Sequence, residues 1–356
     1  MKKSIVLSLL CVVSFASNSH RQPYQSAAEY QYSQRQFIVD VPKTQQDADF
    51  LRFVDKFGKQ YTSQTDFAFR REIYRRNMVL LEQARERIGK ESTLVLGVTR
   101  FADQTPIEMQ AQMKYKAPYG REANKRLDQE TSVGAIPETF DWRANGAVTP
   151  AKDQNGCGAS WAYATSSAIE SKWFMLTNNL LTISSQQLVD CVPKTNPPNG
   201  CDATLSLADV SAYINEPDQN LETTQFYPDL GYSSSECRAD PQQVAVTLQQ
   251  YQIQSSANNL MIKTGIVNNG PLLAIAGVGL EFMFYQSGIM DLKNTYFLAY
   301  QPLLIIGYGK EGTTEYWIAK NSFGQLWGEN GFIRVKLIEG GTDVLFLQES
   351  QFTYYA

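Results

Sequence analysis

Gln154-Asn155-Gly156-Cys157-Gly158-Ala159-Ser160-Trp161-Ala162-Tyr163 is the stretch from which the architecture of this chain is read. Gly156 and Gly158 interrupt regular structure, and an apolar rhythm with helical spacing begins straight after them. Trp161, Ala164, Ala168, Ile169, Trp173 and Leu176 fall on one face, which predicts a helix starting near Ala159-Ser160 and running to Leu176. The hydroxyl of Ser160 is thereby set at a helix N-terminus, where unpaired backbone N–H groups favour negative charge.

Downstream, a short helix is expected at Ser184 to Val189. After residue 250 the signals turn strand-like. Pro271 to Val278, Leu303 to Tyr308, Tyr316 to Ala319 and Gly331 to Val335 are short apolar or β-branched runs bounded by glycine or polar turns. A helical half followed by a β half predicts an α+β protein with a cleft between the halves. Upstream, residues 47–90 read as two helices. Phe50, Phe53, Val54 and Phe57 mark the first, and Phe69, Ile73, Asn77, Leu80 and Leu81 the second. Tyr61-Thr62-Ser63 with Asp66 reads as the break and new cap between them. Residues 116–135 are polar, contain Pro118, Gly120 and Gly134, and read as a linker.

Lys2 and Lys3, the apolar run Ser4 to Val13 and Ser14-Phe15-Ala16 have the pattern of a signal peptide over 1–16. That run is too short to span a bilayer, and no membrane partner is expected. Cys11 leaves with it. Cys157, Cys191, Cys201 and Cys237 then form an even set, which an oxidising compartment would pair in one of three ways. Export directs the chain to the exterior, to a lysosomal or vacuolar space, or to a secretory vesicle. Residues 17–135 carry 19 basic and 15 acidic side chains, a net +4; residues 136–356 carry 11 and 21, a net −10. Opposite signs favour docking of one part on the other. The acidic second part argues against a nucleic-acid partner. The only histidine, His20, lies beside the signal. Without a later histidine, and with the cysteines read as bridges, neither a metal nor another cofactor is expected.

The 154–163 stretch resembles the active-site loop of papain-family, cathepsin L-like cysteine peptidases, whose signature is C-G-[SA]-C-[WY]. Ile136-Pro137-Glu138-Thr139-Phe140-Asp141-Trp142-Arg143 is similar to that family's mature N-terminus. Ser184-Ser185-Gln186-Gln187-Leu188-Val189-Asp190-Cys191 resembles the segment around its second cysteine, and Lys320-Asn321-Ser322-Phe323-Gly324 with Trp327-Gly328 its asparagine motif. Asp66, Arg70, Ile73, Tyr74, Asn77 and Leu81 track the helical inhibitory prosegment, and Gly97, Phe101 and Asp103 the motif after it, with Thr99 where asparagine is usual. The resemblance implies a papain-like two-lobed fold, a helical lobe plus a β-barrel-like lobe. It implies a prosegment over 17–135, with its helical domain about 47–110, ahead of a papain-like domain over 136–356. The same prosegment is expected in the cleft. Disulfides Cys157–Cys201 and Cys191–Cys237 are implied likewise.

Residue by residue, the resemblance puts Ser160 where the nucleophilic cysteine stands and Gln301 where the histidine stands, six residues before the glycine of Gly307-Tyr308-Gly309. Gln154 matches the oxyanion-hole glutamine and Asn321 the residue that orients the base. Trp161, Ala203, Thr204, Tyr300, Phe323 and Trp327 are expected along the cleft; Ala203 and Thr204 stand where glycines are usual, and Phe323 where tryptophan is. A serine hydroxyl starts far above neutrality, and even a lowering by about 5 units leaves it ionised below about one part in a thousand at neutral pH. An amide is no general base. On this footing the chain is expected not to be an enzyme but a papain-type body that binds a peptide or protein in its cleft. The alternatives are a weakly active peptidase using Ser160, and a structural or storage secretory protein.

Overall fold

The computed structural model describes residues 44–115, 136–192, 200–205, 207–214, 220–234, 236–247, 251–255, 259–292, 297–338 and 351–355. The signal-peptide and linker assignments lie outside these residues. Residues 49–356 form one compact unit; of the other unit, residues 1–48, only the last five are described.

The first described element is α1 (Gln45–Lys56), followed by α2 (Gln64–Glu86). Ser63 caps α2 by accepting from the Asp66 N–H, so the chain breaks where the polar run placed it. Phe50, Phe53, Tyr61, Phe67 and Tyr74 pack ring against ring at 5.1–6.0 Å. Asn77, read as part of an apolar stripe, is buried for another reason: its amide donates to the carbonyls of Ala102 and Gln104. That pins the returning chain to α2. A short strand β1 (Val95–Leu96) and helix α3 (Pro106–Ala111) follow. Thr105 and Glu108 form a capping box on α3, and Arg70 of α2 pairs with Glu108 at 2.8 Å.

The second part opens on β2 (Phe140–Asp141) and then α4 (Ser160–Thr177). Helix α4 is buried continuously from Ser160 to Ser171, and among the polar side chains on that stretch Ser166 pairs inside with Ser185, and Glu170 with Lys152 and Thr149. Its predicted apolar face holds except at the end, where Leu176 is exposed. Helices α5 (Ser185–Cys191) and α6 (Leu207–Ile214) complete the helical part. Both disulfides, Cys157–Cys201 and Cys191–Cys237, are present, each with Cα atoms 4.6 Å apart.

The β part is one sheet built from β5 (Tyr251–Ser255), β6 (Leu272–Gly279), β8 (Ile289–Met290), β9 (Phe297–Glu311), β10 (Thr314–Lys320), β11 (Phe332–Lys336) and β12 (Gln351–Tyr355), in the order β5-β12-β6-β9-β10-β11-β8, with β2 joined to β9. Strands β3 (Asn220–Leu221) and β4 (Val246–Thr247) pair separately, and β7 (Tyr285–Ser287) pairs with β1. Helix α7 (Asn259–Asn269) has no counterpart in the sequence reading. Strand β9 is much longer than the run Leu303–Tyr308 read from sequence, because its pairing with β6 continues back to Phe297. Pro302 is tolerated there: β10 reaches only as far as Leu304, so Pro302 pairs with β6 alone.

Candidate functional site

Ser160 opens helix α4. The loop 154–159 delivers it to the first turn of α4, whose N-terminus has no side-chain cap. Ser160 is fully buried and its Oγ has no hydrogen-bond partner. Gly158 permits the tight approach: a Cβ there would lie 2.5 Å from the Cys201 carbonyl oxygen and 2.8 Å from that of Ala111.

Gln301 projects from β9, where its backbone stands opposite Ala276 of β6. It is fully buried, and its Nε2 donates to Asn321 Oδ1 at 2.9 Å and to Ser322 Oγ at 3.2 Å. Asn321 Oδ1 also accepts from the Ser322 N–H, so it must be the acceptor and Gln301 must present its nitrogen. The Gln301 carbonyl oxygen is therefore the atom left over; it and Asn321 Nδ2 have no partner. Ser322 Oγ in turn donates to Gln154 Oε1 at 2.6 Å. That orients Gln154 Nε2 toward two carbonyls, Cys157 at 2.8 Å and Gln112 at 2.5 Å. A continuous run of hydrogen bonds thus joins Gln301 to Gln154 through Ser322, a link that no spacing in the sequence announced.

The expected cleft residues divide. Phe323 is fully buried, edge-on to Phe101 at 4.8 Å and to Trp327 at 5.7 Å. Trp327 packs on Phe282 and donates Nε1 to its carbonyl. Trp161 and Ala203 are buried, whereas Thr204 is exposed. Tyr300 is half-buried and packs edge-on to Phe297 at 5.0 Å.

Behind the site, Lys320 points opposite to Asn321. Its Nζ lies 2.7 Å from Thr149 Oγ1 and 3.8 Å from Glu170, a buried carboxylate that pairs more closely with Lys152 at 2.7 Å. Burial lowers the Lys320 pKa to about 8; Glu170 opposes the shift and Lys152 adds to it.

The segment 87–115 runs across this surface. Strand β1 pairs with β7, and Thr99 Oγ1 donates to the Met283 carbonyl at 2.7 Å. Arg100 reaches both oxygens of Asp153 and stacks over Phe101 and Phe323. The Gln112 carbonyl meets Gln154, the Lys114 N–H donates to the Gly158 carbonyl at 3.1 Å, and Tyr115 bridges to Leu205. Among the described residues no helix is long and apolar enough to cross a membrane.

A family profile described as papain family cysteine protease matches residues 136–344, and one described as cathepsin propeptide inhibitor domain (I29) matches residues 50–109. A cysteine proteinase of Trypanosoma brucei brucei is 32% identical over 305 residues, covering 85% of this chain and 65% of that protein. Digestive cysteine proteinase 2 of Homarus americanus is 29% identical over 311 residues, 84% and 92% of the two chains. Among solved structures, digestive procathepsin L 3 from the larval midgut of Tenebrio molitor superposes with a TM-score of 0.74 at 26% identity, covering 88% of this chain and all of that one. The recombinant stem bromelain precursor gives 0.74 at 25%, covering 87% and 98%. The α+β papain-like fold with a propeptide in its cleft is therefore that of these precursors. These matches also correct one expectation. That the chain is not an enzyme follows from a serine and an amide at Ser160 and Gln301 only if nothing else bears on it. The matching family is one of peptidases, and relatives at 29–32% identity carry the name cysteine proteinase.

Proposed function

The chain belongs to the papain family of cysteine proteases, in the form that carries a cathepsin propeptide domain, and on that footing we propose that it is a secreted peptidase of low turnover that binds peptide in its cleft and uses Ser160 as nucleophile. The observation that carries this reading is the Gln112 carbonyl, a peptide carbonyl 2.5 Å from the Gln154 amide in the loop that leads into α4. In a substrate complex the scissile carbonyl takes that place. Ser160 Oγ attacks its carbon, and the hydroxyl proton passes to water. Gln154 Nε2 and the Ser160 N–H face the developing oxyanion. The C–N bond then breaks, the amine leaves with a proton from water, and a second water hydrolyses the ester. Gln301, with its nitrogen committed to Asn321 and Ser322, has only a carbonyl oxygen left over, which can accept a hydrogen bond but takes up no proton. Oxyanion stabilisation and binding alone sustain roughly 10³–10⁴-fold acceleration over water, and attack by Ser160 is expected to lift turnover above that floor.

The division at 135/136, the signal over 1–16 and export belong to the same proposal. They are supported by the residue pattern of the N-terminus and by two disulfides, which persist in oxidising compartments. A serine-directed fluorophosphonate, applied after the prosegment has been cut away, tests the assignment. Covalent mass on the Ser160 peptide is expected. Its absence, with the cleft open to a reporter peptide, contradicts the nucleophile.

A further inference from the structure

Wherever the prosegment makes an ion pair with the acidic second part, the polarity is the same among the described residues. Arg87 pairs with Glu281, Arg100 with Asp153 at 2.5 Å, and Lys114 with Asp202 at 2.7 Å. Asp153 and Asp202 flank the Gln154–Ser160 stretch: one immediately precedes Gln154, and the other follows Cys201, the disulfide partner of Cys157. That bridge, with the Cys201 carbonyl against Gly158, fixes the wall that carries Asp202. The segment that occupies the place of a ligand presents Lys114 to this wall, with its own N–H on the Gly158 carbonyl.

We infer that Asp202 makes this cleft selective for cationic peptides, ligands that set a lysine or arginine where Lys114 now lies. This rests on the peptide-binding reading above and adds the class of peptide. The Asp202 side chain is 49% exposed, so water and salt screen it. The preference is therefore modest and strongest at low ionic strength.

The test uses the full chain with one engineered protease site between residues 120 and 130. After cutting, the prosegment is held by contacts alone, and its release is followed by size-exclusion chromatography. Two short peptides compete for its place, identical except for lysines in one and glutamines in the other. At low salt the lysine peptide is expected to displace the prosegment at about fivefold lower concentration, and Asp202→Asn to remove most of that advantage. Asp202→Lys should reverse it toward a glutamate peptide, a result that loss of folding cannot mimic. Equal potency of the lysine and glutamine peptides, or an advantage untouched by Asp202→Asn, overturns the inference while leaving peptide binding intact. Displacement by neither peptide overturns the peptide-binding reading itself.

Discussion

At the scale of single residues, Ser322 holds the site together. Its hydroxyl accepts from Gln301 and donates to Gln154, so Ser322→Ala strips a partner from two buried amides at once. Leaving buried polar atoms unsatisfied costs about 1–3 kcal/mol each, and denaturant unfolding should show a loss of that order. A loss under about 0.5 kcal/mol would mean that the amides re-pair. Lys320 gives a second prediction, in pH. In the unfolded chain it keeps its proton to near its ordinary 10.5; folded, it releases it near 8. Between those values the unfolded state binds more protons, so folding stability rises with pH across that window, and Lys320→Met flattens the rise. At higher pH the sign reverses. Burial holds the Tyr163 and Tyr285 hydroxyls protonated beyond the ordinary range, so the unfolded state loses protons first. Gln154, Ser160, Asn321 and Gln301 are legible as positions because fixed motif spacing carries them. The role of Ser322 is not, since it depends on β9 and β10 delivering side chains twenty-one residues apart to one point.

Elements are legible to unequal degrees, and each miss has a cause. Ser63 and the Ser184 cap announce α2 and α5, because capping is local chemistry. Helix α3 shows the same chemistry in Thr105-Pro106 and Glu108 and is legible in principle. Strand β9 reads short because Pro302 and the polar Gln301 interrupt the apolar run; the register against β6 that rescues them is a long-range fact. Removing the α3 cap with Thr105→Ala should cost about 1 kcal/mol. Because the chain from α3 leads directly to the Gln112 carbonyl, limited proteolysis should also release the prosegment faster in that variant. Unchanged proteolysis would separate the cap from the grip on Gln154.

Over the whole molecule, the charge split between residues 17–135 and 136–356 predicts attraction but not its address. Three ion pairs of one polarity supply the address, and their acids and bases lie far apart in sequence. Where they meet is fixed by the fold, so composition could not have named Asp202 or Glu281. Partly exposed pairs are each worth about 0.2–1 kcal/mol and weaken with salt. Raising ionic strength should therefore loosen the cut prosegment several-fold; indifference to salt would assign the grip to β1–β7 pairing and to the Phe101–Phe323 contact. The papain-type body is legible because many ordered motifs agree. What the family membership revises is the inference drawn from two substituted positions. The most direct measurement is turnover of a cationic peptide amide by the chain freed of its prosegment, beside Ser160→Ala and the double variant Ser160→Cys with Gln301→His. The account predicts slow hydrolysis that Ser160→Ala lowers to the level sustained by the oxyanion hole and binding alone and that the double variant raises by about 10²-fold or more. Hydrolysis that survives Ser160→Ala unchanged, or none at all from the native chain, would contradict it.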